Sequence, residues 1–572
     1  MAEPRRSSAQ DASQSHSAGS AAQPAHLPLA GISVVECGQG VAAAYAAKLL
    51  TLLGAEVVKV EPPGGDITRR RGPFFDGKAD AEMSGLSLYL NADKQGVTLD
   101  LQDPADRGRL DRLLADADIL VHNIAPVDRA AVAMASDAIS RSHPHLIVAA
   151  ISPFGEHGPR ANWRAYELNV AHASGQACTG PATSPFPDRP PLKFFGHQAE
   201  FQGGTYAAFA SLAAYLHRIE SSRGQAIEVC EQECLVTMLE GALVRYTYAG
   251  SEASRLGRHT YAPRGLYPTQ DGWIFINLGE EAQWQNLVEM MGNPEWAREE
   301  IFADRFIRAE SVDVMSAYLT EWTRIWKKND LYLAAQEKRI TVAPINLASD
   351  IYADPHLRAR NFFAPLPTRG ERVIEAPTVP FKSASMGWRL SRPAPTLGEH
   401  NSKFFGRATD RAAGASRVSS SSVNAEPAAE HGPLSGIRVL DFGWIWAAPF
   451  CTMLLAHLGA EIIRIESAKR SCLTRRMPPY ADGVIGINRA GIFNEWNQGK
   501  LSIQLNLARP EAVEIARRLA AQCDIAIENF GAGAIERMGL GYEDLLRYNP
   551  RLIMLSMGCY GRTGPYAKHL NY

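Results

Sequence analysis

Residues 31–61, GISVVECGQGVAAAYAAKLLTLLGAEVVKVE, decide how the rest of the chain is read. An apolar run, Ile32–Cys37, has the length and composition of a buried strand. A Gly-containing turn and an Ala/Leu helix follow, and Gly54 then leads into a second strand, Glu56–Val60, ending in acid. The pattern returns at 436–466, GIRVLDFGWIWAAPFCTMLLAHLGAEIIRIE. There Glu36, Gly54 and Glu61 are matched by Asp441, Gly459 and Glu466 at a constant offset of 405 residues. A large α/β unit is therefore present twice in the 572-residue chain.

Outward from the first stretch, LSLYLNADKQGVTLDL (86–101), DILVHN (118–123) and HLIVAAISPFGEHGP (145–159) each contain a strand. Pro104–Ala117 has helical periodicity. Strands alternating with helices predict a doubly wound, mainly parallel α/β sheet. Ligands of such sheets bind beyond the carboxyl ends of the strands, where Glu36, Glu61, Asn123 and Ser152 fall. The segment Ala199–Arg218 is expected to be a helix with Gly203 and Gly204 in its first turns, where they would leave room for a substrate. Short strands such as GWIFINL (272–278) and the helix Glu281–Met291 define a smaller mixed α/β domain.

The expected organisation is a disordered tail (1–26), a first unit (27–405), a linker (406–432) and a second unit (433–572). Within the first unit, a large domain takes in 27–224 and 346–405, and a small one 225–345. Copy two repeats only the first half of copy one, at an offset of 406 where Gly564 matches Gly158, so it is expected to be a truncated unit.

With 59 basic and 61 acidic residues the net charge is −2, which gives no bulk attraction to nucleic acid or to a membrane surface. No apolar run reaches the roughly 20 residues of a membrane helix. Eight cysteines without a CxxC pair fit a reducing cytoplasm, and Cys230 and Cys234 read as buried thiols rather than metal ligands.

Gly38, Gly40 and Ala43, with Glu61 further on, spell a dinucleotide-binding fingerprint, so a nicotinamide-dependent oxidoreductase is the remote alternative. Copy two speaks against it, because its turn is GWIWAAP and such a loop needs its glycines to bring backbone close to phosphate.

Both copies resemble the class III CoA-transferases, the CaiB/BaiF group that includes formyl-CoA transferase, carnitine CoA-transferase and α-methylacyl-CoA racemase. The resemblance is carried by LGAEVVKVEPPGGD (53–66), Asn91 and Lys94 ahead of LDL, IENFGAGAIERMGLGYEDLLRYNPRLIMLSMGCYGRTGPY (527–566) and LAAYLHRIESSRGQAIEV (212–229). APRGLYPTQDG (262–272), ADPHLRARNFF (353–363) and APTLGEHN (394–401) add to it. It implies a Rossmann-like large domain and an interlocked homodimer or intramolecular pseudo-dimer. Coenzyme A and acyl-CoA are implied as substrates with no tightly bound cofactor, and a free carboxylic acid as acceptor. The implied mechanism is covalent: a carboxylate attacks the acyl-CoA thioester, an anhydride forms, and an enzyme–CoA thioester follows.

The family's nucleophilic Asp matches Glu200, which has one methylene more. For CoA the matched positions are Gly40, Val41, Lys94 and Asn123 in copy one and Ile445, Trp446, Lys500, Asn529 and Arg537 in copy two. The counterpart of Arg537 in copy one is Ala131. Arg164 (in place of a Lys), Tyr166 and Glu167 match positions near the active site. A racemase of this family would have a His where Tyr166 stands. A lyase acting through an acyl-CoA, and a non-catalytic first copy supporting a site in copy two, are the other readings.

Overall fold

The computed structural model describes residues 26–180, 188–239, 241–255, 261–370, 373–406 and 432–570. The expected tail (1–26) and linker (406–432) thus lie almost wholly outside the described residues.

Six parallel strands form the first sheet: β1 (Ser33–Cys37), β2 (Glu56–Glu61), β3 (Gln95–Thr98), β4 (Ile119–His122), β5 (Ile147–Ser152) and β6 (Ala226–Cys230). Their order is β3-β2-β1-β4-β5-β6, so the order reverses beside β1. The central strands are nearly continuous in apolar residues because helices cover both faces. Val34, Val57, Ile119 and the whole of β5 are buried.

Two helices lie closely together on one face. Ala42–Leu52 is Ala-rich, and it crosses the 24-residue helix Gln198–Ser221. At Gly204 a Cβ would stand 2.6 Å from the Ala42 carbonyl oxygen, and at Gly203 it would stand 2.9 Å from Glu231 Cγ. The two glycines therefore serve helix packing rather than making room for a substrate. That corrects their expected role.

A three-stranded antiparallel sheet, β7 (Arg264–Thr269), β8 (Gly272–Asn277) and β9 (Val342–Pro344), carries the small domain. Its core holds Trp284, Phe302 and a buried Arg308, whose guanidinium meets Glu281 at 2.8 Å. The strand expected to open this domain is instead β6, the last strand of the large sheet, since Val148–Ser152 pair with Ala226–Cys230. A short hairpin, β10 (Phe363–Leu366) and β11 (Ile374–Pro377), follows. The chain then returns to the β3 edge of the large sheet. Asp93 accepts the backbone N–H groups of Ser391 and Arg392, and Asn401 pairs with Thr98.

Copy two forms a five-stranded parallel sheet from β12 (Arg438–Asp441), β13 (Glu461–Glu466), β14 (Lys500–Gln504), β15 (Ile525–Glu528) and β16 (Ile553–Ser556). Its order, β14-β13-β12-β15-β16, repeats the first five strands of copy one. No sixth strand covers β16 among the described residues, and Ile553 is 64% exposed.

Among the described residues copy two meets copy one in several places, including an Arg476–Glu280 pair at 3.8 Å. Its helix Gly491–Trp496 packs on Ala242–Ala249, with Glu495 accepting the Gly241 N–H at 3.0 Å. Its loop 558–570 reaches the small domain, where His569 meets the Tyr332 hydroxyl at 2.7 Å, and the helix Pro355–Ala359 beyond it, where Tyr566 stacks on His356.

Candidate active site at the first turn

The turn after β1 is built twice. In copy one, Asn123 at the end of β4 accepts the Gln39 N–H (2.9 Å) and donates to the Gln39 carbonyl (2.6 Å). In copy two, Asn529 does the same to Trp444, both at 2.7 Å. A Cβ on Gly38 would lie 2.0 Å from Asn123 Oδ1, so only glycine lets the clamp close there. The residue that turns the chain has φ +83° at Gly40 and +64° at Ile445. Copy two thus keeps the loop shape without the glycine, against a penalty on the order of 1–2 kcal/mol for a left-handed L-residue. Its N–H reaches Cys472 Sγ, where Gly40 reaches Asp66.

Next in the turn is Val41, buried, whose N–H donates to Glu200 Oε2 at 2.9 Å. Glu200 lies in the first turn of Gln198–Ser221, with its side chain 20% exposed. Its other oxygen is 3.4 Å from His197 Nδ1. Glu167, buried at the start of its own helix, accepts the N–H groups of Ala199 and Glu200 at 3.0–3.2 Å. Two carboxylates therefore sit at the positive end of one helix, each held by backbone donors, which is a favourable place for anions.

Glu167, His197 and Glu200 also offer ligand atoms within 4.8 Å of one another, the one such group among the described residues. The same helix terminus disfavours a cation there, and both carboxylates already spend lone pairs on N–H donors.

The lysines behave differently from expectation. Lys94 is buried with its ammonium on Glu36 (2.7 Å), the Ala44 carbonyl (2.8 Å) and Asn91 (3.1 Å). Lys59 completes the network, on Glu36 at 2.6 Å and Asp66 at 3.0 Å. Burial pulls the Lys94 ammonium down to about 8 although Glu36 opposes the shift. Burial pushes Glu36 up, but Lys59 and Lys94 outweigh it and hold the carboxyl below its ordinary range.

Lys500 repeats the arrangement on Asp441, the Pro449 carbonyl and Asn497, and burial lowers it too to about 8. Neither ammonium is presented to a phosphate, which corrects the expected contact. Both lysines tie the third strand to the first.

The acid that closes the dinucleotide-like fingerprint is likewise engaged. Glu61 takes a bidentate pair from Arg69, with both bonds at 2.7 Å, and Glu466 takes one from Arg475. A ribose would have to displace a buried ion pair to reach Glu61, and a part-buried one to reach Glu466.

Beyond the strand ends lies a cleft of about 390 Å³, lined in part by Gly38, Gln39, Asp100, Asn123 and Asp128, with no lysine or arginine among its lining residues. At its rim Arg164, largely exposed, pairs with Asp128 at 2.7 Å. Tyr166 is 77% exposed. In copy two Arg537 is exposed at the end of its short helix and Trp446 packs edge-on to Trp496, while Ala131 leaves the matching place in copy one without a cation.

One acid escaped the sequence reading. Glu231 stands directly after β6 and is 6% exposed beneath Gly203. The signal was available, since it too is an acidic residue at the carboxyl end of a strand. Cys230 and Cys234 are buried thiols, both raised by burial, Cys234 to about 12.

Comparison with known proteins places these observations. The model of the family described as CoA-transferase family III matches residues 29–401 and 434–572. The succinate–glutarate CoA-transferase of Agrobacterium fabrum is 31% identical over 385 residues, 66% of this chain and 95% of that protein. A probable CoA-transferase of Mycobacterium tuberculosis is 27% identical over 544 residues. That is 92% of this chain, and the chain spans 64% of the relative's length. Among solved structures, a CaiB/BaiF family protein from Brucella suis superposes with a TM-score of 0.60 at 27% identity, over 67% of this chain and 98% of its own. No helix among the described residues is long and apolar enough to cross a membrane.

Proposed function

The chain belongs to CoA-transferase family III, and from that premise we propose that its first copy moves CoA from an acyl-CoA to a free carboxylic acid through a covalent intermediate on Glu200. The observation that carries this is the bond from the Val41 N–H to Glu200 Oε2, which sets a part-exposed carboxylate at the turn after β1. The helix terminus is a favourable place for an anion and the Val41 N–H aims the carboxylate, which suits it to act as a nucleophile.

A Glu200 oxygen attacks the thioester carbonyl, the C–S bond breaks, and the CoA thiolate leaves a mixed anhydride behind. The thiolate then attacks the Glu200 carbonyl and expels the donor acid. The acceptor carboxylate displaces CoA from the resulting enzyme thioester, and a last thiolate attack on the acceptor's acyl carbon frees Glu200. Dicarboxylic donors and acceptors, as in the Agrobacterium relative's name, are the first substrates to try.

Copy two takes the place of a partner subunit in this reading. Its loop 558–570 on the small domain and Glu495 on Gly241 support a pseudo-dimer within one chain, where covalent linkage raises effective concentration. Its exposed Arg537, absent from the copy-one cleft, favours a share for copy two in holding CoA phosphates. Eight free cysteines suit a reducing compartment, and we place the protein in the cytoplasm.

The test is to incubate the protein with succinyl-CoA and map its peptides by mass. A CoA or hydroxylamine-trapped adduct is expected on the peptide carrying Glu200. An unmodified peptide under turnover sinks this reading.

A further inference from the structure

Three carboxyl groups, Glu167, Glu200 and Glu231, gather around the first turns of Gln198–Ser221. Among the described residues none of them is paired with a lysine or arginine, and His197 at 3.4 Å from Glu200 is the nearest basic group recorded. Backbone donors account for two of the three. Glu167 holds Ala199 and Glu200 N–H, and Glu200 holds Val41 N–H.

Glu231 has no such account. It is more than nine-tenths buried, its Cγ lies under Gly203, and no hydrogen bond satisfies it among the described residues. An ionised carboxylate so placed would keep little contact with water and have no cation to pair with, which is costly.

Resting on the reading of Glu200 as nucleophile, we infer that Glu231 is a positioning residue of the transfer reaction. Held uncharged, it adds no charge of its own beside Glu200; ionised, it repels the anions on which each step depends. Those anions are the acceptor carboxylate and the CoA thiolate. No bond is made or broken at Glu231 itself.

Its surroundings are consistent with this. Burial is the largest influence on the carboxyl, and the charges of Glu200 and then Glu167 add to it, moving it up to about 8. Strand β5 presents apolar Ile151 to Gly203. The titratable residues near Glu231 on its own elements are Glu228, Cys230, Glu233 and Cys234, and burial raises both thiols. The gain is electrostatic, because neighbouring carboxyls that share a site are pushed apart in acidity.

The experiment follows CoA exchange from succinyl-CoA to glutarate across the alkaline range. The wild-type rate is expected to fall about tenfold between roughly pH 7 and pH 9, following loss of one proton. Glu231→Gln is isosteric and permanently neutral. It should keep the rate near pH 7 within about twofold and lose the alkaline fall. A variant that retains the wild-type fall overturns the proposal, as does a wild type that shows none.

Should Glu231→Gln fail to fold, infrared titration of the wild type reads the proton directly. A protonated-carboxyl band present near neutrality and lost around pH 8 supports the inference, and its absence at neutrality refutes it. Glu200→Gln separates the two readings. If it still exchanges CoA, both fall; if it is dead while Glu231→Gln keeps the alkaline fall, only the role of Glu231 falls.

Discussion

Glu200 accepts the Val41 N–H at 2.9 Å, across 159 residues of sequence. That bond joins the turn after the first strand to the start of the 24-residue helix Gln198–Ser221, and it sets the reach of the carboxylate. Glutamate fits because its oxygen arrives at the turn. An aspartate on the same backbone would stop about one ångström short.

Glu200→Asp is therefore expected to lose on the order of 10²-fold in turnover through misplacement alone, although it keeps the chemistry. Glu200→Gln should lose all covalent adduct. Steady-state exchange with mass mapping distinguishes the two, and equal activity of the Asp variant contradicts the positional account.

Gly38→Ala puts a methyl group 2.0 Å from Asn123 Oδ1, so the clamp on Gln39 must open. The expected result is a KM for acyl-CoA raised about tenfold with a smaller change in kcat, as the turn is a binding element. Initial-rate kinetics decide it. An unchanged KM means the clamp does not shape the CoA site.

Lys94→Met removes one partner from a buried ion-pair network and leaves Glu36 with Lys59 alone. Breaking such a pair costs about 3–5 kcal/mol. A lowered unfolding midpoint is expected, with no change in the salt dependence of acyl-CoA binding. A weakened salt dependence at unchanged stability would instead make Lys94 a phosphate ligand.

For stability, the sign at Glu231 follows from its raised acidity constant. The folded state holds the proton up to about 8, whereas the unfolded carboxyl loses it near 4.5. Between these values the folded state binds more protons, so this residue's contribution falls as pH rises through that window and levels off above it. Glu231→Gln lacks the term. Its unfolding free energy relative to wild type should therefore grow from about pH 5 to pH 8, by at most about 1.4 kcal/mol per unit. Chemical denaturation at several pH values reads this, and a flat difference rules it out.

The duplication, the parallel sheet and the correspondence of Asn123 in copy one to Asn529 in copy two were legible from the sequence. Each is a local pattern: apolar runs of strand length, a constant offset, an acid or amide at a strand end. Local patterns survive reading in one dimension, because side chains a few residues apart share a face whatever the rest of the chain does.

Only the tertiary structure decided what the charged and small residues are for. Lys94 and Lys500 read as phosphate ligands, yet each is enclosed by acceptors that include a carboxylate on a strand 58 or 59 residues away. Gly203 and Gly204 read as space for substrate, and space is what the crossing helices and Glu231 consume. Gly40 and Ile445 look unlike in sequence and share one backbone shape. The physical reason is common to all of these. What a charge or a missing side chain does depends on the groups around it, and those groups come from distant parts of the chain.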